Sequence, residues 1–191
     1  MNTRTALLDS AERVARQRGY DAFSYADLAR DVGIRKASIH HHFPAKADLA
    51  FGLIERYAER FFETLDKIDS THTKAAEKLR AYVAEYRNAL ADGTQLCLCV
   101  AMSAGRDSLS ERVLVELNNF HENSVAWLTR VFEQSIDDQT VAGASDPAAE
   151  AKATLALMEG AQLVARAAKN LSLFDAATAA FSARLSAPKS H

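Results

Sequence analysis

FSYADLARDVGIRKASIHHHFPAK, running from Phe23 to Lys46, is the stretch that decides the fold. Ser24 and Asp27 form an S-x-x-D signature, in which the Ser24 hydroxyl caps a short helix. Leu28, Ala29 and Val32 follow at helical spacing, and Gly33 stands where a helix ends on a left-handed residue. Ile34 turns back to the core. A second short helix then runs from about Lys36 to His42 around Ile39, and Pro44 stops it. Helix, glycine turn, helix is the helix-turn-helix pattern, whose second helix enters the DNA major groove.

The flanks supply what two short helices lack. A first helix is predicted from about Thr3 to Arg18, with Leu7, Ala11, Val14 and Ala15 on one face and Gly19 at its end. It forms the third wall of a small three-helix head. After Pro44 a long helix starts near Ala45, its apolar stripe passing through Leu53, Ile54, Tyr57, Phe61 and Leu65. Further helices are predicted over about Lys74–Leu90, the wholly apolar Leu96–Ala104, Ser108 to about Ile136, Asp146 to about Lys169, and Asp175 to Leu185. Ser108 with Glu111, and Asp146 followed by Pro147, are the start signals of two of them. The fold class is therefore all-α, with about nine helices. Residues 1–46 are read as the helix-turn-helix domain and 47–191 as a helical body.

Composition excludes several classes. Glycine and proline number only 7 and 3 in 191 residues, which suits helices throughout. No segment approaches the roughly 18 apolar residues of a membrane span. The opening MNTRTALLDSAER is charged and lacks a signal peptide's apolar centre, and two cysteines make no disulfide framework. A cytoplasmic protein is expected. Residues 1–46 carry eight Lys/Arg against five Asp/Glu, a net +3; the whole chain is −2, so the remainder is −5. A basic head on an acidic body suits a protein that meets phosphate at one end. No glycine-rich phosphate loop, H-E-x-x-H or nucleophile–base set is present, so no enzymatic activity and no cofactor are expected.

The chain resembles the TetR family of bacterial one-component transcriptional regulators. The likeness runs over about fifty residues, from Leu7-Leu8-Asp9-Ser10-Ala11 through Arg18-Gly19-Tyr20-Asp21-Ala22-Phe23-Ser24 to His41-His42-Phe43-Pro44-Ala45-Lys46-Ala47-Asp48-Leu49. It implies a DNA-binding head, a ligand-binding and dimerisation body over residues 47–191 and a homodimer, and most often a repressor released from a near-palindromic operator by a small-molecule inducer. In the family the positions of Ser38 and Lys46 contact backbone phosphate. The candidate DNA-contacting residues are Ser24, Arg35, Lys36, Ala37, Ser38, His40, His41 and Lys46. Three departures bear on the operator: Arg35 replaces a small polar residue, Ala37 a glycine, and His40 and His42 tyrosines. His42 is expected to be partly packed. Protonation of the other histidines below about pH 6.5 would strengthen phosphate contacts. Three consecutive helical residues point about 100° apart, so His40, His41 and His42 cannot converge on one metal ion.

In the body, the resemblance places the inducer among the middle helices, and Phe62, Tyr82, Tyr86, Cys97, Met102, Asn118, His121 and Trp127 are its candidate contacts. Tyr86, Asn118 and His121 are the polar groups expected to point inward and orient a mostly apolar molecule. An aromatic or Met at helical spacing is equally a plain core residue. Cys97 and Cys99, read as two residues of one helix, lie about 200° apart around its axis, which is poor geometry for a disulfide or a shared metal. Some electrophile- and oxidant-sensing TetR regulators carry a Cys-Leu pair where Cys97-Leu98 stands. Cys97 is thus either a sensing thiol or a small buried hydrophobe. The last two helices, rich in small residues from Ala149 to Ala180, are the dimer interface that the resemblance implies.

Overall fold

The computed structural model describes residues 2–185, and these contain nine α-helices, two 3₁₀ turns and no strand. The helices are α1 (Thr3–Arg18), α2 (Tyr25–Val32), α3 (Lys36–His42), α4 (Lys46–Thr71), α5 (Ala75–Ala89), α6 (Leu98–Ser103), α7 (Glu111–Asp138), α8 (Pro147–Ala168) and α9 (Leu171–Arg184). None of the described helices is long and apolar enough to cross a membrane. The all-helical expectation holds. The chain groups into two compact units, one of residues up to Arg60 together with Gln95–Phe120, the other of Phe61–Thr94 and the chain from His121 onward.

In the first unit, α1 buries Leu7, Leu8, Ala11 and Ala15, while Leu28, Ile39, Phe43, Leu49 and Leu53 are likewise withdrawn from water. Each fully buried leucine or isoleucine contributes about 1.5–3 kcal/mol by leaving solvent. Charges flank this core. The half-buried Arg56 guanidinium reaches Asp9 at 2.7 Å and Glu12 at 2.8 Å, and Arg60 reaches Glu12 at 2.6 Å, pinning α4 to α1. The Tyr25 hydroxyl donates to the Phe43 carbonyl at 2.8 Å and closes the end of α3 onto α2.

In the second unit, α5 begins where the Asp138 carboxylate, at the end of α7, accepts the Ala75 N–H at 2.8 Å. Gln162 of α8 donates to the Tyr86 carbonyl at 2.6 Å. Asp146 caps α8 with Pro147 in its first position, as its start signal predicts.

Three helix starts differ from expectation: α6 begins at Leu98 rather than Leu96, and α7 and α9 are displaced as well. The long helix α7 begins at Glu111 rather than Ser108, because the Ser108 hydroxyl donates to Asp21 at 2.7 Å and its segment forms a 3₁₀ turn. Helix α9 begins at Leu171, four residues before Asp175, because the Asn170 side chain accepts the Ser172 N–H at 3.0 Å and caps it there.

Candidate nucleic-acid interface and thiol site

The capping box read from Ser24 and Asp27 forms. The Ser24 hydroxyl accepts the Asp27 N–H at 3.4 Å, and the Asp27 carboxylate accepts the Ser24 N–H at 3.0 Å. The Ser24 hydroxyl and N–H, and then Arg30 at 2.7 Å, hold the Asp27 carboxyl below the usual carboxylate range. Gly33 ends α2 in the left-handed region at φ 75°, ψ 31°, and the Ile34 N–H returns to the Ala29 carbonyl at 2.9 Å. This local geometry aims α3.

On α3, only Ile39 is buried; Lys36, Ala37, Ser38, His40 and His41 are exposed, as is Arg35 at its N-cap, and His42 is half-buried. One fully buried side chain therefore anchors a helix whose remaining surface is mostly polar and open. The His40 Nδ1 sits 3.1 Å from the Pro44 carbonyl, and its ring meets Tyr25 edge-on at 5.0 Å. A carbonyl oxygen only accepts, so Nδ1 carries the proton and Nε2 is the acceptor in the neutral ring. Protonation turns Nε2 into a donor suited to phosphate. Lys46 behaves differently from a plain surface lysine. Its ammonium lies over the Tyr20 ring at 4.3 Å and the Phe23 ring at 4.6 Å. Burial lowers its pKa, and Asp21 opposes that shift. The lysine is thus held beside the start of α4 by two aromatic faces.

Sequence reasoning did not single out Tyr57 as a site residue, yet the first unit brings it against Cys97. Helix α6 starts at Leu98, so Cys97 is its N-cap in extended backbone, φ −50°, ψ 139°, not a helical residue. The 200° separation expected for Cys97 and Cys99 therefore does not apply. Burial opposes ionisation of the Cys97 thiol, yet the Cys99 thiol and Tyr57 hydroxyl donate to its sulfur, and the N–H groups of Val100 and Cys99 favour its charge. Together they bring Cys97 down to about 7, below an ordinary thiol's 9.0. Burial pushes the Tyr57 phenol well above its ordinary value, with both thiols adding to the rise. The Arg16 guanidinium stands 5.8 Å from the Tyr57 ring centroid. Arg16 also clasps the residue before Cys97: its Nε donates to the Leu96 carbonyl at 2.8 Å, and the Leu96 N–H donates to the Arg16 carbonyl at 3.0 Å. One arginine thus ties α1 to the thiol site.

The candidate inducer contacts separate. Cys97, Met102 and Asn118 belong to the first unit; Phe62, Tyr82, Tyr86, His121 and Trp127 belong to the second. Asn118 is exposed, because α7 buries Val113, Leu117 and Phe120, and that register turns residue 118 outward. In the second unit Tyr82 stacks on Trp127 at 5.5 Å and leans on Tyr86 at 5.0 Å, with Phe61 edge-on to both tyrosines. Asp69 accepts the Trp127 Nε1 proton at 2.9 Å and pairs with Lys78 at 2.9 Å. His121 faces Glu159 at 3.1 Å. Tyr82, Tyr86 and Trp127 are buried and pack ring against ring.

A capped short helix, a left-handed glycine and an open polar helix together define a helix-turn-helix protein of the bacterial regulatory type. The chain belongs to the TetR family. A regulator of that family from Agrobacterium tumefaciens is 32% identical, superposes with a TM-score of 0.91, and the match covers 97% of this chain and 98% of that one. Residues 7–53 match the family described as bacterial regulatory proteins, tetR family. The HTH-type transcriptional repressor NemR of Escherichia coli K12 is 23% identical over 181 residues, 93% of this chain and 91% of NemR. The reduced form of E. coli NemR shares the fold over the whole of both chains, with a TM-score of 0.83 at 22% identity.

Proposed function

We propose that this chain is a ligand-responsive transcriptional repressor that binds a near-palindromic operator as a homodimer. The observation that carries the reading is α3, anchored by Ile39 alone and open along Arg35, Lys36, Ser38, His40 and His41. We assign DNA binding to residues 1–46, and ligand binding and dimerisation to residues 47–191. Ser38 and Lys46 take backbone phosphate and fix register; Arg35, Lys36, His40 and His41 read bases or add charge beside them; Ser24 and Ala37 complete the contact surface. The last two helices pair with their copies. A protein that works on chromosomal DNA operates in the cytoplasm. Membership of a regulator family, rather than any catalytic grouping, supports a non-enzymatic role.

The inducer acts by preferring the form that DNA does not. Two recognition helices must sit about one turn of DNA apart, roughly 34 Å or a multiple of it, so a small tilt weakens binding. A coupling of about 1–3 kcal/mol is enough. Fluorescence anisotropy with DNA from upstream of the protein's own gene, against a scrambled duplex, tests the reading. Specific, salt-sensitive binding supports it; equal binding to both duplexes, with no sequence recovered from a random pool, refutes it.

A second reading, in which Cys97 senses an oxidant or electrophile, is favoured by the thiol being held at about 7. In that case a thiol-reactive compound releases DNA from the wild type and leaves Cys97→Ser bound.

A further inference from the structure

Neither DNA binding nor a reactive Cys97 alone requires Cys99, yet its thiol hydrogen-bonds the Cys97 sulfur. On one helix the two would face apart. They meet because Cys97 stands outside α6 in extended backbone, while Cys99 lies inside the helix, so the chain turns between them. We propose that Cys97 and Cys99 are a dithiol pair that a hydroperoxide closes to a disulfide, Cys97 being the attacking thiolate and Cys99 the resolving thiol. The proposal rests on the reading of Cys97 as a reactive thiol and extends it to a second residue and a defined product.

The chemistry balances. The Cys97 thiolate attacks one oxygen of the peroxide, the O–O bond breaks, and hydroxide leaves to take up the proton the thiol had lost. Cys97 is then a sulfenic acid, and one water has formed. The Cys99 sulfur attacks the Cys97 sulfur, the S–O bond breaks, and the hydroxyl departs with the Cys99 proton as a second water. Two thiols have given two electrons to one peroxide. Tyr57 donates to the Cys97 sulfur while it carries charge, which keeps the attacking form populated near neutral pH.

Burial selects this product. Cys97 is 2% exposed and Cys99 0%. An alkylating electrophile leaves its whole carbon skeleton on sulfur and must displace packed neighbours. A disulfide adds no heavy atom. Hydrogen peroxide is small and uncharged, and a resolving thiol already in contact removes the sulfenic oxygen before further oxidation. Closing the S–S bond takes the Cys97 sulfur from its hydrogen bond with Tyr57, one residue from Leu96, which Arg16 holds to α1.

The test uses the full chain, reduced and then given one equivalent of hydrogen peroxide. It is denatured, treated with N-ethylmaleimide and weighed intact, with a parallel sample exposed to dimedone. The wild type is expected to take up no maleimide, to lose two hydrogens (~2 Da), to run as a single chain without reductant, and to regain both thiols with dithiothreitol. Cys99→Ser and Cys99→Ala, used together so that one misfolded variant does not decide the matter, should stop at a dimedone-reactive Cys97. Cys97→Ser should keep its remaining thiol. A wild type that accumulates dimedone-reactive Cys97 while Cys99 still takes maleimide overturns the pair and leaves Cys97 as a reactive thiol. A disulfide between two chains overturns it as well. Two thiols surviving excess peroxide overturn both the pair and the sensing reading. Thiol state is measured without DNA, so a failure to bind an operator does not bear on whether the pair forms.

Discussion

At the residue scale, Tyr57 and Asp138 show how a neighbour sets the chemistry of a buried or half-buried group. Removing the hydroxyl in Tyr57→Phe takes one donor from the Cys97 thiolate, so its pKa should climb from about 7. Ultraviolet absorbance of the thiolate in the reduced protein across pH 6–9, with Cys97→Ser as the blank, measures this without adding a group to the buried sulfur, and the midpoint should move upward. An unmoved midpoint would mean that Cys99 and the helix N–H groups suffice. Asp138 is pushed up by burial but brought down further by the Ala75 N–H and by Thr140, so its folded value lies below the ordinary 3.8. A carboxyl depressed in the folded state contributes stability above its unfolded pKa and loses it as pH falls through the folded one. Asp138→Ala should therefore cost about 1 kcal/mol at pH 7, and the deficit should shrink below pH 3.8. Urea denaturation at the two pH values reads the difference.

The elements divide by how local their instructions are. Helix α2 is specified almost entirely within itself, by the Ser24–Asp27 box at one end and Gly33 at the other. A Cβ at Gly33 meets nothing within 4 Å, so the cost of Gly33→Ala is that of a left-handed backbone alone. A loss of about 1 kcal/mol in thermal or chemical unfolding is expected, with α3 losing its aim and operator affinity falling alongside. A stability unchanged to within a few tenths would show that the turn can relax. That locality is why the head was legible in the sequence, while other elements were not. Ser108 and Glu111 have the spacing of a box, but Asp21, 87 residues away, takes the hydroxyl. Asn170 and Ser172 set the start of α9 through a contact two residues long, ahead of the expected start at Asp175. The thiol site was hidden for the same reason. Its members come from α1, α4, the residues before α6 and α6 itself, and the placement of Cys97 ahead of its helix brings them together. Asn118 was misjudged by one step of a helical register.

For the molecule as a whole, two surfaces carry the regulatory reading. On α8, Leu163 and Val164 are 46% and 55% exposed, while Leu155, Met158, Ala161 and Ala165 of the same helix are buried. If copies pair there, Val164→Arg should give a monomer by light scattering and lose most specific DNA affinity, with helix content unchanged by circular dichroism. A dimer that survives would move the interface elsewhere. At the head, Lys46→Ala should weaken binding about equally across sequences and lower the salt slope by about one, whereas Lys36→Ala or His41→Ala should change sequence preference. Competition binding at two salt concentrations separates the two outcomes.

Arg16, Tyr57, Cys97 and Cys99 all belong to one unit of a single protomer. If the proposed thiol pair releases DNA, each half of a dimer carries its own complete pair, and an operator that needs both halves is freed when either is oxidised. If oxidation strikes protomers independently, a cell that has oxidised half of them retains only about a quarter of its dimers untouched. Under that proposal promoter release would run ahead of the chemistry that causes it, and a modest oxidant dose would yield a large early response without any cooperativity between the two sites.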